Sequence, residues 1–205
     1  MSLQIGNDKI KEIYYGADKI KEVYYGSQLV YKNKSGLGIG DYIAPYGIIY
    51  HIDSTHYYIV SMTYPSASTL TWGPTTRNMS IPDYTTAETA ATDWNGYTNT
   101  NNIVASGQTV PAAKACYDYT YNGAFPTNTF WLPSGGEINA LMDNFDIVNP
   151  KIAINGGTEM VAANHYSSTE HSAYLAWNRT PNGTALQNIP KNIPLRVRPV
   201  TKIEI

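Results

Sequence analysis

The order of apolar and polar positions predicts a β-hairpin in the middle of the chain and a group of strands near its C-terminus. Two β-rich runs, 47–53 and 57–61, flank a polar turn, as the arms of a hairpin do. Three further strands are predicted between Val161 and Ile205, at 166–169, 173–177 and 194–200. The run before the last of them is rich in Asn, Thr, Gly and Pro, which favours a surface loop. A rigid frame that carries a polar, aromatic-edged loop is a common construction for a binding site.

Apolar residues at helical spacing predict two amphipathic helices, each with one buried stripe. The first begins at Pro111, which suits the first position of a helix, and its stripe comprises Ala112, Ala115, Cys116 and Tyr119. The second follows a capping-box signature from Ser134 to Glu137, and its stripe comprises Ile138, Leu141, Met142 and Phe145. Shorter helical turns are predicted within 86–94 and 99–104. Because Cys116 lies on a buried stripe, we expect an inert interior thiol.

Residues 5–32 contain a repeat with a period of ten. Gly6-Asn-Asp-Lys-Ile-Lys-Glu-Ile-Tyr-Tyr is followed by Gly16-Ala-Asp-Lys-Ile-Lys-Glu-Val-Tyr-Tyr and by a truncated copy that starts at Gly26. Each glycine predicts a turn and each Ile-Tyr-Tyr or Val-Tyr-Tyr a short strand; a helix is the alternative for Lys-Ile-Lys-Glu-Ile, but the regular glycines disfavour it. A unit this small needs neighbouring copies or chains to cover its apolar face. The repeat resembles short Gly-Ile-Tyr-Gly modules of phage tail and receptor-binding proteins, which implies an attachment or oligomerisation role.

These patterns divide the chain into three parts. Residues 1–34 form the β-rich repeat, residues 35–46 a glycine-rich linker, and residues 47–205 the main domain. At 205 residues the chain is long enough for one domain with a real core and an appendage.

The composition favours binding through the surface and argues against several other classes. Charged residues make up 15% of the chain, well below the roughly 25% of an average soluble protein. Tyrosine is unusually common, with 18 Tyr against 3 Phe, and it supplies contact area with a polar end. The same bias also fits a loop-rich core in which Tyr replaces Phe. The net charge of −2 without a basic run argues against nucleic acid as a partner.

The sequence also lacks the signals of a membrane span, a signal peptide and a cysteine pair, which limits where and how the protein is expected to act. No apolar run approaches the roughly 20 residues that span a membrane, so no membrane insertion is expected. The N-terminus lacks the apolar core of a signal peptide, so an extracellular role implies a route such as assembly into a virion. The single cysteine excludes an internal disulfide and a cysteine-based zinc site.

The order of the motifs across residues 40–201 is distinctive. The set comprises Gly47-Ile-Ile-Tyr-His-Ile-Asp, Trp72-Gly73, Asp93-Trp-Asn-Gly-Tyr, Ala112-Ala-Lys-Ala-Cys-Tyr, Trp131-Leu-Pro-Ser-Gly-Gly-Glu, Tyr166-Ser-Ser-Thr-Glu, Ala176-Trp177 and Val197-Arg-Pro-Val. It resembles the C-type-lectin-like domain of bacterial and phage surface proteins with the formylglycine-generating-enzyme-like fold. That group includes the variable proteins of diversity-generating retroelements.

The resemblance implies an α+β fold with two helices and a twisted antiparallel sheet, whose C-terminal strands and loop present a ligand surface. Trp131 and Trp177 are expected in the core. Aromatic and amide side chains then meet the ligand, because tyrosine stacks at low entropy cost while Asn and Thr adapt their hydrogen bonds. The predicted ligand-binding residues are Asn164, His165, Tyr166, His171, Tyr174, Asn178, Arg179, Asn182 and Thr184.

Enzymatic chemistry finds little support among the residues. Oxygen-dependent formylglycine enzymes need a cysteine pair, and the chain has Cys116 alone. Ser167, Glu170 and His171 supply the groups of a hydrolytic triad, but a triad is recognised by geometry, and no nucleophile-elbow motif surrounds the serines. We expect no catalytic residue and no cofactor.

Metal binding is not expected either. Four aspartates are scattered without the spacing of a calcium loop, at positions 83, 93, 143 and 146. Trp177-Asn178 matches part of a calcium-lectin signature, but Arg179 stands where an acidic residue should follow. In the last predicted strand, Arg196 and Arg198 alternate with apolar residues. We expect a structural role there, with bonds to loop carbonyls or to a carboxylate such as Glu137 or Glu170.

Two functions follow from these observations. The first is a non-enzymatic, adhesin-like receptor-binding protein on a phage tail or an extracellular surface, whose partner is a cell-surface protein or glycan. Its N-terminal repeat tethers a homo-oligomer, for which a trimer is the natural count in a fibre. The alternative is a structural component of a virion or surface assembly without a ligand of its own.

Overall fold

The computed structural model describes residues 36–65 and 69–205 with their side chains, and the backbone of six short strands within residues 4–32. The chain divides into two compact units, Met1–Gly38 and Ile39–Glu204. The strand Tyr42–Ile43 pairs with Gly47–Ile52 inside the second unit, so this part of the predicted linker belongs to a sheet. The domain boundaries at 34 and 46 stay a prediction.

Within the described residues of the first unit, six strands form three antiparallel pairs. Its strands are β1 (Gln4–Ile5), β2 (Asp8–Lys9), β3 (Tyr14–Tyr15), β4 (Asp18–Lys19), β5 (Glu22–Tyr25) and β6 (Gln28–Lys32), paired in consecutive order. The predicted strand character of the tyrosine pairs at 14–15 and 24–25 is confirmed. The repeat glycines at positions 6, 16 and 26 lie outside the described residues.

A four-stranded antiparallel sheet lies at the centre of the second unit. It comprises β7 (Tyr42–Ile43), β8 (Gly47–Ile52), β9 (His56–Ser61) and β13 (Val200–Glu204), in the order β13-β9-β8-β7. The predicted hairpin is therefore confirmed, with Ile48 opposite Val60. Gly47 sits at φ +149°, and a side chain there would strike the Val60 carbonyl oxygen, so its register tolerates only glycine.

A second antiparallel sheet has three strands in the order β10-β11-β12. These are β10 (His165–Glu170), β11 (Leu175–Arg179) and β12 (Gln187–Pro190). All six residues of β10 are buried although five of them are polar. The free edge of β10 is covered, because Tyr166 N donates to the Arg196 carbonyl at 2.9 Å and Ser168 N donates to the Pro133 carbonyl at 2.7 Å.

Five helices are found within the described residues. They are α1 (Ala87–Ala90), α2 (Gly96–Ala105), α3 (Pro111–Tyr117), α4 (Gly135–Asp143) and α5 (Phe145–Ile154). The capping box of Ser134 and Glu137 is present, and Pro111 occupies the first turn of α3 as predicted. Helix α5 was not predicted. Only Val148 and Ile152 of α5 are buried, while exposed isoleucines and Pro150 within the helix blur its apolar period.

The hydrophobic interior forms two clusters. One joins the four-stranded sheet to α4 and α5 and includes Trp131 and Trp177, so both predicted core tryptophans are confirmed. The other lies around Trp72 and includes Cys116 and Tyr166. Burial raises the pKa of the Cys116 thiol, in keeping with an inert interior residue.

The last predicted strand needs a correction. Residues 194–199 form isolated bridges, at Leu195 with Leu70 and at Arg196 with His165, and the continuous strand β13 begins only at Val200. Pro194 and Pro199 lack amide donors, so a regular ladder cannot run through this segment.

None of the helices in the described part of the chain is long and apolar enough to cross a membrane.

Candidate functional site

Four of the nine predicted ligand-binding residues lie in the interior. His165 and Tyr166 have no exposed surface, and Asn178 and Arg179 have 1% and 3%. His165 and Tyr166 were predicted to meet the ligand, but all six residues of β10 are buried, and neighbouring segments cover its faces and its free edge. These four side chains therefore belong to the frame, which corrects the expectation that they are displayed.

The polar ends of these four residues bond to the protein itself. Tyr166 Oη donates to the carbonyls of Pro190 and Ile193 at 3.1 and 2.6 Å. Arg179 Nη2 donates to Asp143 Oδ1 at 2.8 Å and to the Gly183 carbonyl at 2.9 Å. Asn178 Nδ2 donates to the Gln187 carbonyl at 2.8 Å, which ties β11 to β12.

His165 is an interior histidine held neutral by its surroundings. Its Nδ1 lies 2.8 Å from the Ala163 carbonyl and its Nε2 lies 3.1 Å from Tyr64 Oη. Burial, with the positive charges of Arg198 and Arg196 nearby, lowers the pKa of His165 to about 4. It therefore stabilises the frame as a neutral ring.

The other five predicted residues lie at or near the surface. Tyr174 is 62% exposed, Asn182 and Thr184 are exposed, and Asn164 and His171 are partly buried. Tyr174 belongs to the turn between β10 and β11, while Asn182 and Thr184 belong to the loop between β11 and β12. The pairing of His165 with Arg179 and of Glu170 with Ala176 places the two connections at opposite ends of β11. His171 and Tyr174 therefore lie at one end of the sheet, and Asn164, Asn182 and Thr184 lie at the other.

The turn that carries Tyr174 is fixed from below by a buried ion pair between Lys191 and Glu170. Both side chains have no exposed surface. Lys191 Nζ also donates to the carbonyls of Ala173 and Arg77 at 3.1 and 2.9 Å and lies 4.7 Å from the centroid of a Trp72 ring. Lys191 N donates to the Tyr174 carbonyl at 3.0 Å. The side chain of Lys191 therefore holds the backbone at Ala173, and its amide holds the backbone at Tyr174.

Burial weakens the ionisation of both members of this pair. It raises the pKa of Glu170 and lowers the pKa of Lys191, while the contact between them opposes both shifts. Glu170 Oε2 also accepts a bond from Met79 N at 3.1 Å, which attaches the loop after Trp72 to the same point. Lys191 was missed from the sequence, because it stands in a polar run beside Pro190 that is typical of an exposed loop.

Arg198 has the structural role expected of an arginine in this segment. Its Nε and Nη2 donate to the Ser61 carbonyl at 3.1 and 2.7 Å, and its guanidinium lies 4.8 Å from the Tyr64 ring centroid. Neither Glu137 nor Glu170 is its partner. Burial lowers the pKa of Arg198 to about 10.

The groups considered for catalysis bond elsewhere. Ser167 Oγ donates to the Trp177 carbonyl at 2.9 Å, and the Glu170 carboxylate is bonded to Lys191. The His171 ring packs against Trp177 with centroids 5.1 Å apart. The structure therefore does not assemble Ser167, His171 and Glu170 into a triad.

Two of the four aspartates considered for calcium, Asp93 and Asp143, bond to protein partners. Asp93 is 1% exposed and accepts bonds from Asn99 Nδ2 at 2.8 Å and from Thr169 Oγ1 at 2.6 Å. Asp143 pairs with Arg179. Across residues 36–65 and 69–205, no three His, Cys, Asp or Glu side chains are grouped as metal ligands would be.

An open cleft of about 450 Å³ is formed by segments of the chain other than the β10–β11 turn and the β11–β12 loop. It is bordered by the turn before β8, the start of α2, the segment before α4, and β13. Its aromatic residues are Tyr46, Trp94, Tyr97 and Trp131. Sequence reasoning missed this cleft, because its residues come from four distant segments of the chain.

Comparison with known proteins supports the fold and leaves the family open. No family model matches the chain, and no curated protein sequence does. Among solved structures, the chain is similar to a fimbrial protein from Bacteroides ovatus, with a TM-score of 0.61 and 17% sequence identity over 88% of this chain and 48% of that one. The chain thus spans about half the length of that protein. The two share an α+β fold.

Proposed function

We propose that this chain is a non-enzymatic, adhesin-like binding protein of an extracellular surface. Its ligand surface is the turn that carries Tyr174, with His171 at its edge, whereas Asn164, Asn182 and Thr184 lie at the opposite end of the same sheet. The observation that carries the proposal is Tyr174, a large side chain 62% exposed on a turn whose backbone is anchored to the interior. A tyrosine held in this way offers contact area with little entropy left to lose on binding.

Two further observations support this reading. A solved structure with a similar fold is described as a fimbrial protein. The buried partners of Ser167 and Glu170 leave no activated nucleophile at the same place. A cell-surface protein or glycan is the partner we propose.

The finer assignment rests on the sequence resemblance. It comprises a C-type-lectin-like domain, display on a phage tail, diversification by a retroelement, and a trimer tethered by the N-terminal repeat. A reverse transcriptase gene and a near-copy of the 3′ coding region beside this gene, differing at adenines, would support diversification. Their absence would remove that part and leave the binding role to its own test.

The binding role is tested with Tyr174→Ala in folded protein, and Asn182→Ala reports on the opposite end of the sheet. Flow cytometry measures the labelled protein on bacterial and epithelial cells. Loss of a central tyrosine contact is expected to weaken binding about tenfold or more, whereas Tyr174→Phe should retain most of it. Lys114→Ala changes an exposed side chain on α3, outside both proposed sites, and serves as the control. Equal cell binding by wild type and Tyr174→Ala would contradict the proposal.

The structural alternative is favoured by the exposed face of α5. Ile147 and Ile154 stand two turns apart on that helix and are 51% and 74% exposed. An apolar pair of this kind suits a contact between copies of the chain. Sedimentation velocity with Ile154→Lys tests it: a dissociated variant supports assembly through α5, and an unchanged oligomeric state contradicts it.

A further inference from the structure

The open cleft has aromatic side walls and a buried floor. Tyr97 is 44% exposed, and its ring meets the ring of the largely buried Trp131 edge-on, with centroids 5.5 Å apart. Trp94 is half-buried and is backed by His51 and Tyr58, with centroids 4.7 and 5.3 Å away. Because neighbouring rings support these side chains, their positions are set before any ligand arrives.

Polar groups are placed among the rings. The carboxyl of Glu137 lines the cleft although Glu137 is only 1% exposed, and its Oε2 accepts bonds from Trp131 Nε1 at 3.1 Å and Ser134 N at 2.8 Å. Asn95 and Thr98 contribute an amide and a hydroxyl, and Lys202 contributes an ammonium group. Burial raises the pKa of Glu137 to about 7, so its carboxyl is able to donate as well as accept near neutral pH.

Gly96 keeps the floor of the cleft, at Glu137 and Trp131, accessible. A Cβ on Gly96 would lie 2.1 Å from Glu137 Oε2 and 2.8 Å from the edge of the Trp131 ring. Only a residue without a side chain allows the start of α2 to approach the carboxyl this closely. The cleft is therefore a built arrangement of rings, a buried acid and a glycine.

We propose that this cleft binds a short saccharide. Its volume of about 450 Å³ falls in the range of small-molecule pockets, roughly 300–1,000 Å³. The apolar C–H face of a sugar ring packs on aromatic faces, and its hydroxyls need the mixed donors and acceptors that Asn95, Thr98 and Glu137 supply. A purely apolar ligand would displace water from the remaining donors and acceptors of these groups without replacing its hydrogen bonds. The site shares no residue with the proposed surface around Tyr174 and does not depend on it.

The test uses the full chain and a panel of methyl glycosides. The panel contains the glycosides of glucose, galactose, mannose and N-acetylglucosamine, together with those of glucuronic and N-acetylneuraminic acid. Trp94 and Trp131 line the cleft, so tryptophan emission follows titration, and saturation-transfer NMR identifies the sugar protons in contact. At least one glycoside is expected to bind with saturation at millimolar concentration or below.

Two tyrosine variants connect binding to the cleft. Tyr97→Ala removes a ring of the wall and is expected to weaken binding about tenfold. Tyr97→Phe keeps the ring and loses only the bond that Tyr97 Oη accepts from Asn128 Nδ2, so its affinity should stay within about twofold of wild type. Lys202→Gln should lower the affinity for an acidic sugar and leave the affinity for a neutral sugar unchanged. The comparison shows whether the bound sugar is acidic or neutral.

Three results would overturn the proposal. They are no response from any glycoside, equal affinity of wild type and Tyr97→Ala while circular dichroism shows both folded, and loss of affinity in Tyr174→Ala comparable to that in Tyr97→Ala. The last result would move sugar binding to the other surface. If Tyr174→Ala still binds the sugar, the cleft proposal is supported even when the cell-binding assay contradicts a role for Tyr174.

Discussion

Replacing Lys191 by Met tests how the turn that carries Tyr174 is held. The variant keeps most of the side-chain volume, but it leaves the Glu170 carboxylate buried without its charged partner. Removal of one member of a buried ion pair costs about 3–5 kcal/mol. For a chain of this size each kcal/mol corresponds to roughly 2–4 °C in the midpoint of thermal unfolding. We therefore expect the midpoint of Lys191→Met to fall by about 6–20 °C.

Equilibrium unfolding in urea gives the free energies, and a double-mutant cycle isolates the pair. Glu170→Gln combined with Lys191→Met removes both charges, so its cost should fall short of the sum of the single variants by about 1–3 kcal/mol. Lys114→Met is the matched control, because its partner Asp118 is 44% exposed and the lysine itself 54%. A surface pair of this kind contributes about 1 kcal/mol or less. Additive single variants, or equal losses in Lys191→Met and Lys114→Met, would refute the reasoning.

Three other predictions concern buried groups. The pKa of Glu137 is raised to about 7 from 4.5, so the folded state holds the extra proton and the stability of wild type relative to Glu137→Gln should fall by about 3 kcal/mol as the pH rises from 4.5 to 7.5. The pKa of His165 is lowered to about 4 from 6.5, so the unfolded state binds the proton first, and stability relative to His165→Gln should fall by about 3 kcal/mol as the pH drops from 7 to 4. Urea unfolding across pH checks both, and slopes of the same sign would contradict the assignments. Arg198→Met leaves the Ser61 carbonyl without its donors and should cost about 1–3 kcal/mol, measured in the same assay at pH 7; no loss would show that this bond is dispensable.

Local signals in the sequence predicted the elements that depend on local interactions. The hairpin of β8 and β9 follows from two β-rich runs around a turn, and α4 follows from the capping box of Ser134 and Glu137. Helix α5 could not be found in this way, because Ile147 and Ile154 are apolar yet exposed. Pro194 and Pro199 interrupt the last predicted strand and move the regular ladder to Val200–Glu204.

The candidate site was harder to predict because it depends on tertiary contacts. The polar residues His165 and Tyr166 were predicted to be displayed, but β11 and the segment around Arg196 cover β10 on both edges. Lys191 looks like a surface residue in the sequence, and only the folded chain shows its bond to Glu170. The surface position of Tyr174 was predicted correctly, since the turn that carries it projects from the sheet.

Photo-crosslinking from position 174 tests the central claim most directly. A benzophenone amino acid replaces Tyr174 in one protein and the exposed Lys114 in another, and each is irradiated on cells that the wild-type protein binds. The proposed function predicts a discrete crosslinked product from position 174, which excess unlabelled wild-type protein suppresses, and none from position 114. No product from position 174, or the same products from both positions, would contradict a binding surface around Tyr174.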